Sequence, residues 1–186
     1  MIGNNLPESV NDVKKYAAIT LLAATLVGCD NNSAPLSFTP EMASFSNEFD
    51  FDPLRGPVKD FTQTLFNDKG EVSKRVTGTM STEGCFDTLE LHDLEANTGV
   101  ALVLDANYYI DAETQQRKVK LQGKCQLAEL PSAGVTWDTD DNGFVVAAHG
   151  KEMEVKYRYD ADGYPLGKTT VSGDQHLSVQ STPSKD

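Results

Sequence analysis

The chain predicts a mainly β protein: a single domain of antiparallel hairpins, forming a meander or an open barrel, preceded by a cleaved signal peptide. Three observations carry that expectation. From Val58 onward apolar and polar residues alternate at period two, the spacing that sends successive strand side chains to opposite faces. Acidic or amide residues followed by glycine interrupt the alternation at short intervals, which is the chemistry of tight hairpin turns. Ahead of both lies a short apolar run ending in Leu26-Val27-Gly28-Cys29, the form of a secretory signal rather than of a folded element.

Taken in chain order, Lys14 and Lys15 form the charged start of the signal, residues 16–27 its apolar centre, and Gly28 the small residue before the cleaved bond. The apolar run is too short to cross a ~30 Å hydrocarbon core as a helix. The cysteine at its end makes the segment a lipobox. The thiol of Cys29 takes a diacylglycerol, the signal is cut before it, and the new amine is acylated. Two or three acyl chains hold firmly where one holds marginally. Residues 1–12 are polar and contain Pro7, unlike a signal start, so Val13 is the expected initiator. The expected divisions are a signal over residues 1–28, a lipid-anchored tether over residues 29–35, and a β domain over residues 36–186.

The tether, Asp30-Asn31-Asn32-Ser33-Ala34-Pro35, cannot bury a core. Residues 36–57 are aromatic and acidic without clean periodicity. Phe38, Phe45, Phe49 and Phe51 are expected to pack as a flap or first strand, with Pro53 and Pro57 limiting regular structure. Beyond the signal, no segment shows a long helical stripe.

Residues 153–159 give the clearest strand, with Met153, Val155, Tyr157 and Tyr159 on one face and Glu154, Lys156 and Arg158 on the other. Residues 119–127 repeat the pattern, placing Val119, Leu121, Gly123, Cys125 and Leu127 inward. Residues 100–104 form a continuous apolar run, expected as a strand covered on both faces. Residues 85–96 read as strand or helix equally well. Turns are expected at residues 67–70, 140–143 and 160–163, each ending in glycine, and at residues 111–114 without one.

The cysteines suit an oxidising compartment. With Cys29 lipidated, Cys85 and Cys125 remain, and they allow one intramolecular disulfide. Their separation of 40, with no CxxC, disfavours a catalytic or metal pair. The net charge of −12 is unchanged by cleavage, because Glu8 and Asp12 offset Lys14 and Lys15. Such acidity is a poor match for nucleic acid or for anionic headgroups.

Candidate chemistry is sparse. Residues 138–143, Asp-Thr-Asp-Asp-Asn-Gly, match the first half of a calcium loop. The twelfth position is His149 rather than a bidentate glutamate, so an acidic hairpin turn is expected, with no metal and no cofactor. His92, His149 and His176 lack ligand spacing. Glu90, Asp93 and Glu95 offer acid pairs of the kind composition alone supplies. Trp137, Tyr157, Tyr159 and Tyr164 suggest either a sugar-binding strip or core packing. No nucleophile elbow, zinc-protease or phosphate-loop motif is present, and no catalytic residue is assigned.

Residues 159–166, Tyr-Asp-Ala-Asp-Gly-Tyr-Pro-Leu, resemble a YD repeat, with residues 66–72 a degenerate copy. Residues 36–65, 121–135 and 157–170 together resemble the enterobacterial YnfC lipoprotein family, which is uncharacterised. The resemblance implies a lipid-anchored envelope protein with its lipidated cysteine at Cys29, and brings no activity to transfer. Asp30 resembles the aspartate that retains such lipoproteins in the inner membrane, the outer membrane being the alternative. Family members continue past the position matching Asp186 with further strands and cysteines, implying a truncated chain and an unclosed sheet. The expected function is a non-enzymatic binding or interaction module facing the periplasm. Its partner would be an envelope protein or glycan, contacted through a sheet edge or the aromatic segment over residues 36–57. A carboxylate-dependent hydrolase or carbohydrate-binding protein is the alternative.

Overall fold

The computed structural model describes residues 38–180. Cys29, Asp30, the signal and the tether lie outside the described residues.

Among the described residues, one helix precedes twelve strands. The helix, α1 (Pro40–Phe49), is followed by β1 (Asp60–Phe66), β2 (Val72–Met80), β3 (Phe86–Asp93), β4 (Thr98–Asp105), β5 (Tyr108–Asp111) and β6 (Arg117–Gln122). Then come β7 (Gln126–Leu130), β8 (Val135–Thr139), β9 (Val145–His149), β10 (Glu154–Tyr159), β11 (Pro165–Ser172) and β12 (Gln175–Gln180). All twelve strands form one antiparallel sheet in sequence order, an uninterrupted meander as the alternation predicts. Every neighbour is reached by a short connection, because antiparallel strands need no crossover.

The turns share one construction. In the connections after β1, β8 and β10, the carboxylate or amide oxygen of Asn67, Asp140 or Asp160 accepts backbone N–H groups two and four residues on, at 2.8–3.0 Å. Glycine then takes the left-handed conformation, as at Gly143, φ 90°. The turn after β5 works without glycine. Asp111 accepts from the backbone of Glu113 and Thr114, and these bonds lower its pKa, Thr114 contributing most.

The sheet wraps around α1. A ten-residue helix is about 15 Å long, whereas strands β3 to β11 laid flat would span about 38 Å at 4.8 Å per neighbour. Yet Phe45 packs on Phe86 of β3 at 5.2 Å and on Tyr109 of β5 at 5.5 Å. On its other side, Ser44 accepts from the Val145 amide of β9 at 3.0 Å, and Asn47 donates to the carbonyls of Arg158 in β10 and Gly167 in β11. A sheet curled into an open barrel satisfies all of these contacts at once. Val76, Leu89, Leu102, Val119, Leu121, Leu127, Val145 and Val155 line its inner face against the helix.

The helix corrects the expectation of a first strand over residues 36–57: the described residues among them, 38–57, form no strand. Thr39 caps its start by accepting from Met42 N at 3.3 Å, Pro40 occupies the first turn, and Asp50 ends it at φ 55°. Its buried run, Met42 to Asn47, is continuous, so no polar face produces a 3.6-residue rhythm. Residues 119–127 also differ from expectation. They split into β6 and β7, with the chain reversing through Gly123 and Cys125, both at positive φ. Residues 100–104 are covered on one face only: Leu102 is buried, while Val103 is 36% exposed. Of residues 85–96, Phe86–Asp93 form strand β3 and residues 94–96 enter the turn that follows.

Candidate functional site

At its C-terminal end α1 is held by two lysines on opposite sides of the curled sheet. Lys74 of β2 donates to the Phe49 carbonyl at 2.8 Å, and Lys168 of β11 donates to that of Glu48 at 2.7 Å while pairing with Asp50 at 3.3 Å. Cations suit the negative end of a helix dipole and its unpaired carbonyls. Beside them Gln63 of β1 exchanges two hydrogen bonds with the Asp52 backbone, at 2.7 and 3.0 Å. These bonds fix the chain as it leaves the helix.

The same end holds a buried polar cluster. The Tyr157 hydroxyl donates to the Glu48 carboxylate, and the Trp137 ring N–H donates to the Tyr157 oxygen at 3.3 Å. Burial pushes the Glu48 carboxyl above its ordinary value, against the opposing effects of Tyr157 and Lys168. Burial pushes the Tyr157 hydroxyl up too, reinforced by the Glu48 charge. Among the described residues, no buried side-chain polar atom lacks a partner. Glu48 is therefore a satisfied structural acid, committed to the helix and to Tyr157.

The opposite end, where the chain enters at Phe38, carries the more open feature. Phe38 is buried against Tyr164 and Phe144, with the Arg55 guanidinium over its ring at 5.0 Å. Alongside lies a cleft of about 450 Å³ between the start of α1, the loop leading into β1, and the turn after β2. Met42, Leu54, Pro57, Val58 and Met80 supply its apolar walls, and among the described residues Lys59 is the one charged residue in its lining. The Lys59 carbonyl accepts from the Met80 amide at 2.8 Å, which anchors the loop to β2. The Ser81 hydroxyl accepts from the amides of Glu83 and Cys85, so it is engaged in shaping the turn.

That turn is tied down by a disulfide. Cys85 and Cys125 are bonded, with Cα atoms 5.9 Å apart, joining the turn after β2 to the hairpin between β6 and β7. Cys125 stands in that hairpin and is only partly buried, rather than on an inward strand face.

The remaining sequence candidates scatter. His149 contacts Asp138 at 2.9 Å, His92 lies 3.7 Å from Glu90, and His176 is exposed on β12. Asp140 of the calcium-like motif serves its hairpin turn, and among the described residues no cluster of three or more metal-ligating side chains forms. Asp93 accepts from the Ala96 amide and Glu95 from Asn67, so both stabilise turns. Trp137 and Tyr157 are buried, and Tyr159 and Tyr164 pack against Phe144 and Phe38. They are core residues and form no exposed sugar-binding strip. The aromatic segment expected as a contact surface is buried as well: Phe38, Phe45 and Phe51 are each at most 5% exposed. The cleft is not legible in the sequence, because it combines residues from three separate segments: α1, the loop before β1, and the end of β2 with its turn.

Fold and site together define a small antiparallel β domain closed around its own helix, with a shallow apolar cleft at the end where the chain enters. The chain belongs to the uncharacterised protein family UPF0257, whose family model matches residues 13–186. It is similar to the UPF0257 lipoprotein YnfC of Salmonella paratyphi B and of Salmonella typhimurium, each 72% identical over 174 residues, covering 94% of this chain and 74% of the relative. The Salmonella heidelberg protein of the same name is 72% identical over 172 residues, covering 92% and 73%. No solved structure matches.

Proposed function

We propose that the chain is an envelope lipoprotein, held at the membrane by acylated Cys29, whose domain works at the periplasmic face as a non-enzymatic binding module. The observation that carries this is the lining of the cleft. It combines apolar walls and hydroxyls with one lysine, and among the described residues contributes no histidine, carboxylate or thiol. Such a surface holds a ligand but lacks the paired acid and base that hydrolysis needs. The partly buried carboxylate Glu48 lies at the other end of α1 and is engaged by Tyr157, which weighs against a carboxylate-dependent hydrolase.

Anchoring through Cys29 is supported by the lipobox and by the lipoprotein relatives, and retention in the inner membrane by Asp30. The test is made on the full chain purified from membranes and incubated separately with envelope lipid extract and with cell-wall glycan fragments. Retention of a component without chemical change supports the binding module. Turnover of either class overturns it. In parallel, Cys29→Ala is expected to release the domain from membranes or leave the precursor uncleaved; normal membrane-bound processing contradicts anchoring.

A further inference from the structure

We propose that the cleft beside the start of α1 binds one long-chain carboxylate, a fatty-acid anion, with its tail against Met42, Leu54 and Met80 and its carboxylate at Lys59. The inference rests on the binding-module reading and names the ligand class of that site.

Three observations converge on this chemistry. The volume of about 450 Å³ lies within the range of sites for small organic ligands. Two of the five apolar wall residues, Met42 and Met80, are methionines, whose unbranched, polarizable side chains adapt to flexible chains. The one charged residue among the described lining residues, Lys59, is a cation in a protein of net charge −12. Lys59 is exposed, and among the described residues it forms no ion pair. A lone cation over an apolar trough matches one anionic head with one apolar tail. A glycan would meet too few hydrogen-bonding groups, and a peptide would leave backbone groups unpaired.

Position supports the same occupant. The cleft includes Thr39, ten residues after Cys29 in the sequence. A chain of that length extends at most about 35 Å. An acylated Cys29 would therefore hold the cleft within that distance of the bilayer surface, where fatty acids partition.

The test uses the full chain purified from membranes in lipid nanodiscs, with a diazirine-bearing palmitate as photolabel and peptide mapping as readout. Saturable labelling of peptides carrying Met42, Leu54 or Met80, displaced by unlabelled palmitate, is expected. Lys59→Gln should weaken labelling roughly two- to fivefold, the range of an exposed ion pair, and Lys59→Glu more strongly. Met80→Trp should abolish it by filling the cleft, with thermal melting confirming that the variant folds. A diazirine fatty alcohol, which lacks the carboxylate, should label as weakly as palmitate does on Lys59→Gln. Equal labelling by alcohol and acid, or displacement by phospholipid but not by palmitate, overturns the fatty-acid assignment and leaves the binding module intact. Hydrolysis of an acyl ester at the cleft overturns the binding module itself. Labelling confined to other peptides overturns the site.

Discussion

Phe45→Ala removes the side chain around which the sheet closes. Phe45 is 1% exposed, and its ring lies 5.2 Å from Phe86, 5.5 Å from Tyr109 and 5.7 Å from Phe49. Deleting a buried phenylalanine ring costs about 3–5 kcal/mol, because the transfer and cavity costs add. Here the site collapses poorly: the ring is gripped from two sides by strands whose ladders are fixed, so the expected loss is about 4 kcal/mol. Against a total stability of about 5–15 kcal/mol that is a large fraction. In urea the loss moves the unfolding midpoint by about 2 M for a slope near 2 kcal/mol/M, and it lowers Tm by roughly 12 °C. Phe45→Leu keeps most of the volume and is expected to cost about 1.5 kcal/mol. Val103→Ala, at a position 36% exposed on the outer face, serves as control and should stay within about 0.5 kcal/mol. A Phe45→Ala loss no larger than that of the control would show that α1 is not the centre of the fold.

Three further outcomes follow from the packing. Replacing both Cys85 and Cys125 by serine reopens a loop of 40 residues and should destabilise by about 4 kcal/mol in the chain-entropy model; denaturation with and without reductant measures it, and reductant should affect the parent alone. At Gly78 an added Cβ would stand 2.6 Å from the Phe61 ring and 2.8 Å from the Thr88 carbonyl. Gly78→Ala should therefore cost about 1–3 kcal/mol, while the same change at Gly150, where an added Cβ meets nothing closer than 3.5 Å, carries no such packing penalty; thermal melts compare the two. Glu48 titrates higher folded than unfolded, so its contribution is fully present below the ordinary carboxylate pKa of about 4.3 and is lost as pH rises through the raised folded value. Glu48→Gln, which can still accept from Tyr157, should flatten that decline, and urea unfolding across pH 3–8 reads the difference between the two curves.

The strands were legible in the sequence where one face meets the core and the other meets water. Val155 and Tyr157 are buried, and Glu154 and Lys156 are exposed, so residues 154–159 announce themselves, although Met153, expected on the inward face, precedes the strand and is exposed. The polar turns were legible because Asn67, Asp140, Asp160 and Asp111 each satisfy their own backbone. The hairpin at residues 123–125 was not, because Leu121 and Leu127 are both inward and alternation is blind to a reversal that preserves parity. Helix α1 was hidden because strands surround it. Ser44 and Asn47, which read as polar and external, are buried and bonded to strand backbone. Its start signal, Thr39-Pro40-Glu41, was nevertheless present as a cap, a first-turn proline and a first-turn acid. The cleft could not be read from any single stretch, since Met42, Lys59 and Met80 meet only once the sheet has curled.

Intact mass spectrometry of the membrane-purified chain, run denatured and then under native conditions, tests the account most directly. It should show a polypeptide beginning at Cys29 with covalent diacylglycerol and acyl mass, and under native conditions a further, non-covalent fatty acid that Met80→Trp removes. An unmodified chain whose N-terminus lies upstream of Cys29 would contradict the anchor, and a native mass equal to the denatured one would contradict the bound ligand.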